Sequence, residues 1–352
     1  MTRILLTGAA GFIGGHVLDA ARGADLDVVA VDAMLESAHG SGAHADGIID
    51  LDVRDKAALV EAMRGVDVVC HQAAVVGAGV DAADAPAYAS HNDYGTAVLL
   101  AAMYEAGCSR LVLASSMVVY GEGRYVDSSG NTVIPGPRAR ADLDAGVFDN
   151  VDPDTGEPLD WQLVEEDSRL DPRSTYAASK LAQENYASAW AIATGGSVVA
   201  LRYHNVYGPN MPRNTPYSGV AAMFRSSLEL GRAPTVYEDG KQARDFVHVH
   251  DVAAANIASI SAELDGFTAL NVCSGQPITI GEVATVLAEA RGGPAPEITG
   301  QYRAGDVRHI VASARLAEQT LGFSAQIMPR EGLTAFADAP LRDAEGTGPP
   351  RV

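Results

Sequence analysis

The run RILLT at 3–7, continuing into TGAAGFIG at 7–14, constrains this chain more than any other segment. An apolar pentapeptide suits a buried parallel strand, and HVLDAARG, which comes soon after Gly14, suits a helix. Between them Gly8 permits a tight turn, Gly11 lets a pyrophosphate approach the backbone, and Gly14 lets helix and strand pack closely. Free N–H groups at the start of the helix, around Phe12 and Ile13, then face the phosphates. A second apolar run, DVVAVD at 27–32, ends in Asp32, eighteen residues beyond Gly14. A carboxylate there hydrogen-bonds a ribose diol and repels a 2′-phosphate, so the pattern predicts a dinucleotide site that favours NAD over NADP.

A second constellation adds chemistry. Ser116 closes the run LVLASS, and Tyr176 opens YAASK sixty residues later. Tyr176 and Lys180 are four apart, which places both on one face of a helix. An ammonium beside a phenol favours phenolate, so Lys180 is expected to lower the Tyr176 pKa and make the phenol a general base. Ser116 is placed to share the proton of a substrate hydroxyl. By itself YxxxK occurs in many helices; joined to the nucleotide fingerprint it points to hydride-transfer chemistry.

The glycine spacing, GxxGxxG, together with SS…YxxxK, closely resembles the extended short-chain dehydrogenase/reductase family, in particular its nucleotide-sugar epimerase/dehydratase branch. Further matching segments are LDVRD (51–55), HQAA (71–74), NDYGT (92–96), LRYHNVYGP (201–209), RDFVHVHDVA (244–253) and YRAGDVRH (302–309), so the resemblance spans nearly the whole chain. It implies NAD contacts at Asp52, Val53, Ala73, Ala74, Asn92, Ser115 and Tyr203, besides the fingerprint, Asp32, Tyr176 and Lys180. For a nucleoside-diphosphate sugar it implies contacts at Ser116, Met117, Asn205, Val236, Tyr237, Arg244, Arg303 and Asp306, the two arginines holding phosphates. It also implies a homodimer built on a four-helix interface from the helical stretches near 92–106 and 175–194.

Apolar runs at 3–7, 27–32, 66–71, 110–115 and 197–203 alternate with helical segments. This argues for an α/β fold, a doubly wound parallel sheet of Rossmann type, with a smaller α+β substrate domain. The expected organisation is a NAD-binding domain over 1–205, rejoined by 243–273, and a substrate-binding domain over 206–242 and 274–340. A polar, Pro/Gly-rich tail at 341–352 is expected to be mobile.

Composition narrows the function classes. With 25 Lys+Arg against 45 Asp+Glu the formal charge is −20, and no basic patch suited to nucleic acid is evident. No apolar stretch reaches the ~18 residues needed to cross a bilayer. Cys70, Cys108 and Cys273 include no CxxC pair, which argues against a zinc site or disulfide framework, so no metal is expected and a reducing cytoplasm is. The N-terminal apolar run imitates a signal peptide, but its glycines fall where a phosphate turn needs them.

The reaction is read from the two residues after Ser116. Dehydratases of the branch carry an acidic pair there, and its decarboxylases a glutamate at the second place; this chain has Met117 and Val118. The resemblance then leaves the 4-epimerase set of Ser116, Tyr176, Lys180 and NAD. A sugar C4 is oxidised to a ketone and reduced on its other face, with no net redox change. The implied substrate is dTDP-L-rhamnose or a UDP-hexose. UDP-glucuronate, with Arg213 meeting the uronate, is an alternative, as is a reductase of NDP-4-keto-6-deoxyhexoses. A dinucleotide-sensing binding protein is the non-enzyme alternative, against which the intact Ser116, Tyr176 and Lys180 speak. His204 beside Asn205 is read as a packed, hydrogen-bonded histidine. The 55 residues between Tyr120 and Tyr176 exceed what the resemblance implies, and 121–172 is read equally as a lid over the sugar pocket or a surface excursion.

Overall fold

The computed structural model describes residues 1–40, 44–77, 81–213 and 219–342. The expected mobile tail thus lies outside the described residues from 343 onward, as does the NTPYS stretch from 214 to 218. Seven parallel strands form the central sheet. Their spatial order is Gly266–Val272, Ser197–Tyr203, Arg110–Ser116, Val68–His71, Arg3–Thr7, Asp27–Asp32 and Ile49–Asp50. The strand order reverses between Arg3–Thr7 and Val68–His71, so a crevice opens outside their carboxyl ends, where doubly wound sheets bind ligands. Two strands not read from the sequence, Ile49–Asp50 and Gly266–Val272, extend the sheet at its edges. The first is two exposed residues, too short to leave an apolar signal.

Strand alternation divides the large core into two layers. Ile4, Leu6, Val112, Ala114, Val199, Leu201, Leu270 and Val272 point to one face, against the Phe12–Gly23 and Val249–Ser261 helices. Leu5, Leu111, Leu113, Val198 and Ala200 point to the other, against Lys56–Ala62, Gly95–Ala106 and Thr175–Thr194. Caps fit this plan: the Ser174 side chain accepts from Ala177 N at 3.1 Å, starting the helix that carries Tyr176.

A smaller core gathers Tyr207, Phe224, Val236, Phe246, Val283, Leu287, Leu333 and Phe336. Ala243–His248 pairs with Asn205–Tyr207 and Pro277–Thr279 in a separate three-stranded sheet. The chain rejoins the large sheet through Gly266–Val272.

The long segment between Tyr120 and Tyr176 is folded and docked. Arg124–Val126 is flanked by Thr132–Val133 and Asp160–Gln162 in an antiparallel three-stranded sheet. It packs along residues 302–312. Arg308, whose side chain is fully buried, donates to Asp149 at 2.7 Å and to Glu238 and Asp239 at 2.8 Å. Arg138 donates to Glu238 at 2.8 Å and to the Asp306 carbonyl at 2.7 Å. Glu122 accepts from Arg308 N at 2.6 Å and from Asn150 at 2.7 Å. Among the described residues no helix is long and apolar enough to cross a membrane.

Removing one member of a buried ion-pair cluster strands its partners. Arg308→Ala should therefore lower unfolding free energy by about 3–5 kcal/mol, read from the urea midpoint. It should also open 121–163 to limited proteolysis before the rest of the chain. A wild-type midpoint and digestion pattern would show that the cluster does not hold the segment.

Candidate active site

At the carboxyl edge of the sheet lies a cavity of about 520 Å³. Its wall contains Gly8, Gly11, Phe12, Ile13, Gly14, Asp32, Asp52, Val53, Ala73 and Ala74, all expected at a cofactor, with Met117, Tyr176 and Asn205. Gly8 has φ +69°, and a Cβ there would stand 2.6 Å from Ala73 N. A Cβ on Gly14 would stand 1.9 Å from the Gly8 carbonyl oxygen. Neither position therefore has room for a side chain. The helix beginning at Phe12 has no side-chain cap at Gly11 and no acidic residue in its first turn, leaving its N–H groups for an anion.

Asp32 is organised for charge. Its carboxylate accepts from Ala10 N at 3.1 Å and Met34 N at 3.0 Å, with His39 Nε2 at 3.3 Å. Burial opposes ionisation, but His39 and the two backbone N–H groups outweigh it and hold the carboxyl below its ordinary range. Asp52 is likewise held low, chiefly by hydrogen bonds from Arg54. The glycine cradle, the uncapped helix and the charged Asp32 together fit a dinucleotide.

Four residues expected at the cofactor, Asn92, Ser115, Lys180 and Tyr203, stand behind the wall rather than in it. Asn92 accepts from Val75 N and donates to Val75 O, both at 2.9 Å, so its amide shapes the 73–76 turn. The Tyr203 hydroxyl donates to Gln72, a lining residue, at 3.0 Å and accepts from Asn256 at 2.8 Å. Ser115 turns its hydroxyl to the buried carboxylate of Glu184. Glu184 also pairs with Arg202 at 2.8 Å.

Tyr176, Ser116 and Lys180 are brought together, with one departure from expectation. Burial pushes the Tyr176 phenol up from its ordinary value; Tyr88 adds to the rise and the Ser116 hydroxyl opposes it. The expected lowering by Lys180 is not observed. The buried Lys180 ammonium donates to the Ala114 carbonyl at 2.9 Å, and burial lowers its pKa to about 8 against the pull of Glu184. Desolvation therefore outweighs proximity on the helix face.

The residues expected at a sugar nucleotide fall in two places. Met117 and Asn205 line the cavity, and Ser116 precedes Met117. Val236, Tyr237, Arg244, Arg303 and Asp306 gather on the smaller lobe. The Arg303 guanidinium sits 5.2 Å from the Tyr237 ring centroid. Arg244 donates to the carbonyls of Arg308 and Val307 at 2.8 Å. Burial raises the Asp306 carboxyl, opposed by Arg303 and Arg244. Arg213 pairs with Glu229.

His204 is packed, as its sequence context suggests, with the Asn271 side chain beside its ring as a loose hydrogen-bond partner. It lines the cavity, and burial lowers its pKa to about 4. Sequence reasoning missed His39, Gln72 and Arg342 in the wall. Gln72 sits in the matching segment HQAA beside the expected Ala73 and Ala74, whereas no local signal singles out His39 or Arg342. It also missed His71, which bridges Thr7 at 2.8 Å and Thr96 at 3.1 Å beneath the cavity.

A sequence profile of the NAD dependent epimerase/dehydratase family matches residues 4–139 and 151–273. The dTDP-L-rhamnose 4-epimerase of Burkholderia thailandensis is 32% identical, covering 94% of this chain and 93% of its own. MoeE5 in complex with UDP-glucuronic acid and NAD superposes with TM-score 0.76 at 30% identity, over 96% of this chain and 98% of its own. The UDP-glucose 4-epimerase of Thermus thermophilus, complexed with NAD, gives TM-score 0.75 at 30% identity and the same coverage.

The buried His71 yields a pH test. Burial, with the Lys180 charge adding to it, lowers the His71 pKa to about 3. Below pH ~6.5 the unfolded chain binds a proton that the folded chain refuses. The stability contribution is thus complete above that pH and is lost as pH falls toward 3. His71→Gln should show a shallower fall in urea midpoint between about pH 7 and 5 than the wild type; parallel falls would remove His71 as the source.

With the glycine cradle, the charged Asp32 and Tyr176 in one cavity wall, and a family profile over most of its length, this chain belongs to the NAD dependent epimerase/dehydratase family and takes NAD as its cofactor.

Proposed function

We propose that the protein is a 4-epimerase of a nucleoside-diphosphate hexose, acting through a transient 4-keto sugar. The observation that carries this reading is Met117 in the cavity wall, with Val118 next to it. A thioether and an isopropyl group cannot supply the carboxyl chemistry that elimination of water or loss of CO₂ requires. The similarity to the Burkholderia enzyme supports the same choice.

NAD bound in the cradle supplies the redox partner for carbon 4 of the sugar. Ser116 and Tyr176 bracket the 4-hydroxyl, and Tyr176 accepts its proton and later returns it. Burial alone keeps the phenol protonated, so its basicity must come from the arrangement around bound substrate. There Ser116 and the Lys180 ammonium, one turn along the helix, both favour phenolate. Asn205 and Met117 contact the sugar side, while Arg303, Arg244, Tyr237, Val236 and Asp306 take the nucleoside diphosphate. The lobe built on Phe224, Val236 and Phe246 is then the substrate-binding part. The pairing of Arg213 with Glu229 favours a neutral sugar, dTDP-L-rhamnose or a UDP-hexose, over a uronate. A homodimer in the cytoplasm completes the reading, its interface on the exposed Tyr94, Tyr104, Tyr186 and Ile192.

Tyr176→Phe should lower turnover at least ~100-fold while leaving the fold and NAD content intact. The wild-type rate should climb as pH rises above neutrality. Near-normal turnover in a folded variant would rule the phenol out as base.

The reaction type is tested by incubating the protein with dTDP- and UDP-sugars in D₂O and analysing products by mass spectrometry and NMR. We expect an isomer inverted at C4, of unchanged mass, without solvent deuterium at C4 and without consumption of added nicotinamide. Loss of water, loss of CO₂, or gain of two hydrogens with oxidation of NAD(P)H would replace the reading by dehydration, decarboxylation or reduction.

A further inference from the structure

The cavity has an electrostatic deficit. Among its described lining residues are two carboxylates, Asp32 and Asp52, yet Arg342 is the sole Lys or Arg. A dinucleotide diphosphate brings two more negative charges into a chain whose formal charge is already −20. The uncapped helix at Phe12 supplies partial positive charge, but a permanent cation at the wall contributes considerably more.

Arg342 comes from far along the chain and is held in place by backbone pairing. Leu341–Arg342 runs parallel to Met211–Pro212. Arg213 N donates to Arg342 O at 2.7 Å, and Asn210 N to Pro340 O at 2.8 Å. The guanidinium donates through Nη1 to the carbonyl of Ala10, inside the glycine turn, at 2.8 Å. Its Nε is buried and has no hydrogen-bond partner among the described residues. Burial works against the charge, and Asp32 favours it. A buried donor without a partner is costly unless a ligand satisfies it.

We propose that Arg342 is a cofactor-binding residue whose guanidinium engages the diphosphate of NAD, so that the C-terminal strand clasps the cofactor against the glycine turn. Arg342 links Ala10 in the glycine turn, the Met211–Pro212 strand and the ligand's anionic centre. Loss of the cofactor would leave the guanidinium with the Ala10 carbonyl alone. The proposal rests on the family's use of NAD and is independent of which sugar is epimerised.

The test compares wild type with Arg342→Gln, which can still donate to the Ala10 carbonyl, and Arg342→Lys, which keeps the charge. NAD content after purification is measured first. NAD, ADP-ribose and adenosine are then titrated calorimetrically into cofactor-stripped protein, with the melting temperature of each stripped protein as a control. Arg342→Gln should retain less NAD and bind NAD and ADP-ribose about 10-fold or more weakly. Its affinity for adenosine should be unchanged, and Arg342→Lys should recover part of the loss. Undiminished NAD affinity in Arg342→Gln would overturn the proposal. So would an equal loss for adenosine, or a lowered melting temperature with unchanged affinity, because Arg342 would then act only on the shape of the turn.

Discussion

Everything at the cavity depends on how closely the Phe12–Gly23 helix can approach the turn that ends the Arg3–Thr7 strand. Even a methyl group at Gly14 would stand 1.9 Å from the Gly8 carbonyl, and one at Gly8 would strike the backbone at Ala73. Those two vacant positions bring the first strand, its helix and the 72–74 turn to a common point. With them in place the helix N–H groups, Asp32 and the Gln72–Ala74 turn share one cavity. The crevice of a doubly wound sheet is a matter of topology, but its depth here is set by two missing side chains.

The Tyr176 side of the cavity is anchored from beneath by a polar network that avoids water almost completely. Glu184 and Arg202, both almost fully buried, pair at 2.8 Å, and Ser115 and Tyr120 complete their hydrogen bonds. A buried pair of this kind adds little net stability, since desolvation offsets the attraction. Its effect is positional. Glu184 lies one turn beyond Lys180 and two beyond Tyr176, so fixing it to the Ser197–Tyr203 strand fixes the register of the helix against Ser116. The same environment explains the raised phenol and the lowered Lys180. Both are consequences of a dry interior acting on groups that a helical wheel places correctly but cannot titrate.

Positive charge is scarce in this chain, and the structure concentrates it. Arg138, Arg244, Arg303 and Arg308 gather on the smaller lobe, interleaved with Glu122, Glu238 and Asp239. The folded segment after Tyr120 contributes Arg138, Glu122 and Asp149 to this network, so it buttresses the lobe that holds the sugar-nucleotide candidates. None of residues 121–172 lines the cofactor cavity. Its contribution is to the geometry of the arginines, at a distance from the dinucleotide.

Local, periodic signals were enough for the parts of this protein that repeat at short range. The strand–glycine–helix unit, Asp32 at a strand end and the one-turn spacing of Tyr176 and Lys180 could all be read from the sequence, because each is an arrangement of neighbours along the chain. The cavity wall at Gly8–Gly14 and Asp32 follows from them, whereas Asp52 and Ala73–Ala74 were implied by the family resemblance. The folded chain decided the use of side chains whose partners are distant in sequence. Asn92, Ser115 and Tyr203 sit in recognisable segments, yet from behind the wall their polar atoms are spent on Val75, Glu184 and Gln72. Arg342 meets Ala10 across 332 residues, and Arg308 meets Asp149 across 159. Burial, likewise, is a property of what packs overhead, and it reversed the expected pKa of Tyr176. Sequence determines which groups a turn or helix face presents; tertiary packing decides which of them remain free, because hydrogen-bond partners and desolvation come from elements that no local spacing encodes.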